Sequence, residues 1–168
     1  MSRRRRAREV VLQVLYQFDL NPDVPFDESD AFVRGRLQGD PKLCEFAFGL
    51  IRGFSCHSQA IDQRLAATAE NWRLNRMAAT DRAILRLGAY EILFTETPDR
   101  VAINEAIELA KRFGTSQSAQ FVNGVLDRFI GGDNGIAETV SDRETQDGAA
   151  VEAVSKEEPE DGDAEIDD

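Results

Sequence analysis

Residues 77–95, MAATDRAILRLGAYEILFT, constrain this chain most. Written on a helix, the segment is apolar around most of its circumference. Such a helix is stable only when other elements surround it. It is expected to lie at the centre of the fold, with further helices packed around it. The rest of the chain supplies them, because the apolar spacing is helical throughout and no strand alternation appears.

Val11, Val14, Leu15 and Phe18 follow the i, i+3, i+4, i+7 spacing of one helix face, and Asn21-Pro22 stops that helix. A weaker helix is expected over Glu28 to Leu37. Asp40 and Pro41 form a start signal, an N-cap followed by proline at the first helical position. Leu43, Phe46, Ala47, Leu50, Ile51 and Phe54 then form a wide stripe. Ser58 is expected to cap a separate helix carrying Ile61 and Leu65. Thr97-Pro98-Asp99 breaks the chain after the central helix. The next helix points Val101, Ile103, Ala106, Ile107 and Ala110 inward and ends at Gly114. The last runs from Ser118 to Ile130 over Val122, Val125, Leu126 and Phe129. The reading is all-α, a bundle of about seven helices. Asn104 and Asn123 are expected as buried amide pins, and Gly88 and Gly124 as points of close helix approach.

The charge is segregated. The chain carries 31 acids and 20 bases, a formal net charge of -11. From Gly131 to Asp168 there are 14 acids and 2 bases, which leaves 17 acids and 18 bases before them. The expected organisation is a near-neutral helical domain over residues 1–130 and a disordered acidic tail over 131–168, too poor in apolar residues to offset its ordering entropy. No apolar run approaches the roughly 20 residues that span a bilayer. Glu9 and Gln13 interrupt what would be a signal-peptide core. A cytoplasmic protein is expected, with Cys44 and Cys56 as reduced core residues that fit no metal spacing.

No catalytic constellation stands out. His57 is the sole histidine and reads as a capping or surface residue. Glu105 and Glu108 read as helix-surface partners of Lys111 and Arg112. No phosphate loop, metal motif or cofactor motif is present, and the reading is of a non-enzyme. What remains is a cluster of arginines at the start: Arg3, Arg4, Arg5, Arg6 and Arg8. Their mutual repulsion and the helix dipole disfavour them at a helix N-terminus. A polyanion relieves both, and guanidinium pairs with phosphate and stacks on bases. The alternatives are a solvated basic segment, or one neutralised by the acidic tail.

Three blocks, RRRAREVVLQVLYQFD (4–19), DRAILRLGAYEIL (81–93) and VAINEAIELAKRFGTSQSAQFVNGVLD (101–127), together resemble the NusB family of bacterial transcription antitermination factors. IDQRL and Trp72 between them also fit. The resemblance implies a helical fold of two packed subdomains. It implies binding to boxA, a single-stranded element of ribosomal RNA leader transcripts, as a heterodimer with NusE. It also implies work on the elongating RNA polymerase with other Nus factors. It carries RNA contacts onto Arg4, Arg5, Arg6, Arg8, Tyr16 and Phe121, and NusE contacts onto Tyr16 and Asp81. Gln117 departs from an acid found in some relatives. Read without the resemblance, Tyr16 is a half-buried core tyrosine or a surface one, and Phe121 a core residue or a base platform. Two rivals stand: a helical protein-interaction module, and the accessory domain of ribosomal-RNA methyltransferases. Those enzymes continue into a Rossmann domain where this chain continues into acidic residues. The free chain is left open between monomer and homodimer.

Overall fold

Six α-helices occur among the residues that this computed structural model describes, 2–69 and 73–132. They are α1 (Arg3–Leu20), α2 (Asp30–Arg36), α3 (Pro41–Thr68), α4 (Ala79–Phe94), α5 (Asp99–Phe113) and α6 (Ser118–Gly131). Short 3-10 turns at Phe26–Ser29 and Leu74–Arg76 precede α2 and α4, and no strand is present among the described residues. Trp72 and the acidic segment from 133 onward lie outside the described residues. No described helix is long and apolar enough to cross a membrane.

Local chemistry sets the ends. The Ser2 hydroxyl accepts a hydrogen bond from the Arg5 N–H at 3.2 Å, and the Asn21 amide closes α1 by donating to the Gln17 carbonyl at 3.1 Å. The Asp40 carboxylate accepts from the Leu43 N–H at 3.1 Å with Pro41 in the first turn of α3, as its sequence predicts. Between α2 and α3 the chain turns through left-handed backbone at Gln38 (φ 53°) and Gly39 (φ 68°). There the Gly39 N–H reaches the Arg34 carbonyl and the Gln38 N–H the Gly35 carbonyl, the paired bonds of a Schellman turn.

The expected helix beginning at Ser58 is not separate. α3 runs unbroken for 28 residues, about 42 Å at 1.5 Å per residue, so the expected seven helices become six. Ser58 lies inside it, its hydroxyl 3.4 Å from the Ser55 carbonyl. Nothing between Phe54 and Ile61 breaks a helix, and the apolar face simply continues through Ile61 and Leu65, both fully buried. Gly53 in this stretch allows a close approach, since a Cβ there would sit 1.7 Å from the Tyr90 hydroxyl.

α4 is central, as its composition demands. It packs against α1, α3, α5 and α6 and buries Ala83, Ile84, Leu85, Leu87, Ala89 and Tyr90. Because α4 serves both the α1–α3 side and the α5–α6 side, the described residues fall within one compact unit rather than two. Gly88 faces α6, where a Cβ would meet Leu126 Cδ1 at 2.9 Å. Gly124 does not play that part, having open space around it.

On α5 the expected inward face is rotated. Ala102, Ile103, Ala106, Leu109 and Ala110 are buried, while Val101 is 43% exposed and Ile107 half-buried. The 102, 106, 109 spacing is the better helical stripe, and reading it one residue early put Val101 inside. Asn104 is exposed and Asn123 half-buried, so neither is a fully buried pin. Cys44 is buried but Cys56 is exposed, against the expectation of two core cysteines.

Candidate nucleic-acid interface

The arginine cluster is folded into the domain more deeply than its sequence suggests. Arg8 is 4% exposed and Glu91 of α4 is 1% exposed. The Arg8 guanidinium donates to Glu91 through Nε at 2.9–3.0 Å and through Nη2 at 2.7 Å. Its third nitrogen lies 3.8 Å from Glu105. Arg5 donates twice to Glu105, at 3.1 Å each, and to Glu108 at 3.3 Å. The hydrogen bonding to Glu105 outweighs desolvation and raises the Arg5 pKa above its ordinary value. Arg6 donates to the buried Glu9 at 3.3 Å, and Arg112 of α5 reaches the other oxygen of that carboxylate. Arg3 pairs with Asp40.

Core acids therefore relieve the repulsion among the arginines. Glu108 does pair with Lys111, at 3.0 Å, as helix spacing predicts, and this holds its carboxyl below the usual range. Glu105 instead faces Arg5 and Arg8, and Arg112 faces Glu9. Arg4 is the exception in the cluster. It is exposed, has no carboxylate partner among the described residues, and lies with its guanidinium carbon 5.3 Å from the Phe46 ring centroid; Arg8 lies 5.2 Å from the same ring.

The far end of α1 is tied down by a second network. Arg82 donates to Asp19 through Nε at 3.0 Å and to the Leu74 and Met77 carbonyls at 2.8 and 3.2 Å. Arg86 bridges Asp19 and Asp62, donating to Asp62 at 2.7 and 2.8 Å. Burial pushes the Asp19 carboxyl up, but the hydrogen bonds from Arg82 and Arg86 outweigh it and hold it below the usual carboxylate range.

Two clefts receive the remaining residues. Phe121 and Asp81 line one, of about 460 Å³, together with Gln117, Thr115 and Arg76. The structure thus brings together two residues that the sequence resemblance assigned to different ligands. Asp81 Oδ1 is buried there and makes no hydrogen bond. Tyr16 is 39% exposed and lines a second cleft of about 330 Å³ with Phe32, Arg36, Thr80 and Phe113. Reading the residues alone missed Phe46, Phe32, Phe113, Arg36 and Arg76. Each aromatic but none of the two arginines falls on an apolar stripe, and only tertiary packing half-exposes those rings. His57 is neither a cap nor isolated: it lies inside α3, its ring stacked on Phe94 at 3.9 Å and Nδ1 2.8 Å from the Gly53 carbonyl. No cluster of three metal-ligating side chains occurs among the described residues.

The architecture is an all-helical domain in which an arginine-bearing first helix is locked onto a central helix and flanked by two aromatic-lined clefts. Residues 5–131 match the NusB family. A transcription antitermination protein NusB from Anaeromyxobacter dehalogenans is 45% identical over 131 residues, 78% of this chain and 92% of that protein. The structure of T. maritima NusB is similar at 40% identity and a TM-score of 0.68, over 75% of this chain and 89% of that one. A crystal structure of the antitermination factors NusB and NusE in complex with dsRNA is similar at 26% identity and a TM-score of 0.68, over 77% and 96%. The chain belongs to the NusB family.

Proposed function

We propose that this chain is an RNA-binding transcription antitermination factor. It binds boxA-type RNA of ribosomal RNA leaders together with NusE and supports read-through by RNA polymerase alongside other Nus factors. Family membership over residues 5–131 is the observation that carries this reading, and the likeness to a NusB–NusE–dsRNA structure supports it. The role is one of binding rather than catalysis, without metal or cofactor, and its place is the cytoplasm. The RNA-binding domain is residues 1–130, with 131–168 an acidic tail outside it.

The site divides by availability. Arg4, unpaired and stacked on Phe46, contacts phosphate. Arg5 and Arg6, half-buried, share their guanidiniums between RNA and the carboxylates of Glu105 and Glu9. Arg8 has its donors committed to Glu91, so it acts by holding α1 in place. Tyr16 and Phe121 offer half-exposed rings for stacking, worth about 1–3 kcal/mol per base. Asp81 and Tyr16 face NusE. The test is fluorescence anisotropy with a boxA-like strand and a scrambled one, with and without NusE, across a salt series. Arg4→Ala should lose affinity and salt slope while NusE still binds. Equal binding of both strands in the presence of NusE would refute the reading. Sedimentation of the free chain distinguishes monomer from homodimer.

A further inference from the structure

The clefts that hold Tyr16 and Phe121 share a wall. Thr80 lines the first and Asp81 the second, and these are neighbours on α4. Phe113 lines the first and Thr115 the second, on either side of the Gly114 turn between α5 and α6. The two clefts are thus adjacent stretches of one groove along the α4 N-terminus.

Each stretch carries one arginine. Arg36, at the end of α2, lines the Tyr16 stretch with its guanidinium carbon 5.3 Å from the Phe32 ring centroid. Arg76, in the 3-10 turn before α4, lines the Phe121 stretch. Both are exposed, and neither has a carboxylate partner among the described residues. This is the reverse of the N-terminal cluster, where Arg3, Arg5, Arg6 and Arg8 all have one. The positive charge still available to an outside ligand therefore includes the two arginines beside the aromatic rings. Cationic groups alternating with exposed rings suit a single strand, whose phosphates and unstacked bases alternate in the same way.

We propose that this groove is a bed for single-stranded RNA, with Arg36 and Arg76 holding phosphates in its two stretches. The inference rests on the RNA-binding reading above and places part of that binding away from the N-terminal arginines. Asp81, the acid in the groove, fits a base rather than a phosphate. Its buried Oδ1 lacks a donor, and the amino or imino hydrogens on a base's pairing edge supply one.

The experiment uses the full chain with Arg36→Gln, Arg76→Gln and the double variant, and Arg4→Ala as reference. Both positions are exposed, so circular dichroism and urea midpoints should match the parent. Binding of the boxA-like strand is followed against salt, without NusE and then with it. Each contact removed from a single strand should flatten the log–log slope by about 0.7, and the double variant by about 1.4. If the parent and Arg4→Ala differ while both glutamine variants match the parent, the groove is not an RNA bed, although the protein still binds RNA. If the glutamine variants lose NusE and keep the parent's RNA slope, the groove is a protein surface and the proposal fails. If the parent binds no RNA under any condition, the RNA-binding reading fails and takes this one with it.

Discussion

At its N-terminal end α1 contributes a cation, Arg8, and receives the carboxylate of Glu91 from the end of α4. At its C-terminal end it contributes the carboxylate Asp19 and receives Arg82 and Arg86 from the beginning of α4. The two locks have opposite polarity, and they fix the helices antiparallel. Reversing either helix would set Arg8 beside two arginines and Asp19 beside Glu91. The locks also differ in their contact with water. Arg8 and Glu91 are buried almost completely, whereas the side chains around Asp19 keep 11–34% of their surface. A buried pair is all or none, because either partner alone is an unsolvated charge. A partly hydrated network loses one member more gently and answers to pH.

The contrast can be broken most forcefully at Glu91. Glu91→Ala strands the Arg8 guanidinium in the core and should destabilise the fold by about 3–5 kcal/mol, read from urea unfolding. Replacing both partners, Arg8→Met with Glu91→Leu, removes the stranded charge. That variant should recover most of the loss, because apolar replacements of buried ion pairs are often neutral or stabilising. A double variant as unstable as the single would show that the pair's geometry, not its charge, holds α1.

At the other lock Asp19→Asn should cost less, about 1.5–3 kcal/mol for weakened charged hydrogen bonds. Arg82 keeps its bonds to the Leu74 and Met77 carbonyls. The pH dependence sharpens the difference. The folded Asp19 carboxyl titrates below its ordinary value of 3.8. Its contribution is therefore fully present above that value and is lost as pH falls through the lower folded one. Stability against pH below about 4 should be flatter in Asp19→Asn than in the parent. Identical acid limbs would remove Asp19 from the account. The smallest effect belongs to Arg34 and Asp30, an exposed i, i+4 pair at 2.9 Å. Arg34→Ala should change stability by no more than about 0.5 kcal/mol, which sets the scale of an ion pair in water against the two locks.

Most helix boundaries were legible because they are written in adjacent residues. Asp40-Pro41, Asn21-Pro22 and Thr97-Pro98-Asp99 act within one turn of themselves. The central position of α4 was legible too, since an all-round apolar helix has nowhere else to go. Ser58 misled because a serine is a cap only where the chain is otherwise free to end, and the α3 stripe runs on past it. The N-terminal arginines were visible as a cluster, but their availability was not. Arg8 meets Glu91 across 83 residues of sequence, and no local pattern announces such a pair. The same distance hid the groove. Arg36 and Arg76 are ordinary surface arginines until folding sets them beside Tyr16 and Phe121.

That separation of 83 residues is also an interval of time. A ribosome adding about 5–20 residues per second needs roughly 4–17 seconds to go from Arg8 to Glu91. Throughout it α1 has left the ribosome, or is leaving it, with its apolar face uncovered and its guanidiniums unmatched. α4 is the helix that both covers the face and neutralises Arg8. The first helix made is thus among the last to be secured, and the nascent chain is at its most basic and most adhesive before its fourth helix emerges.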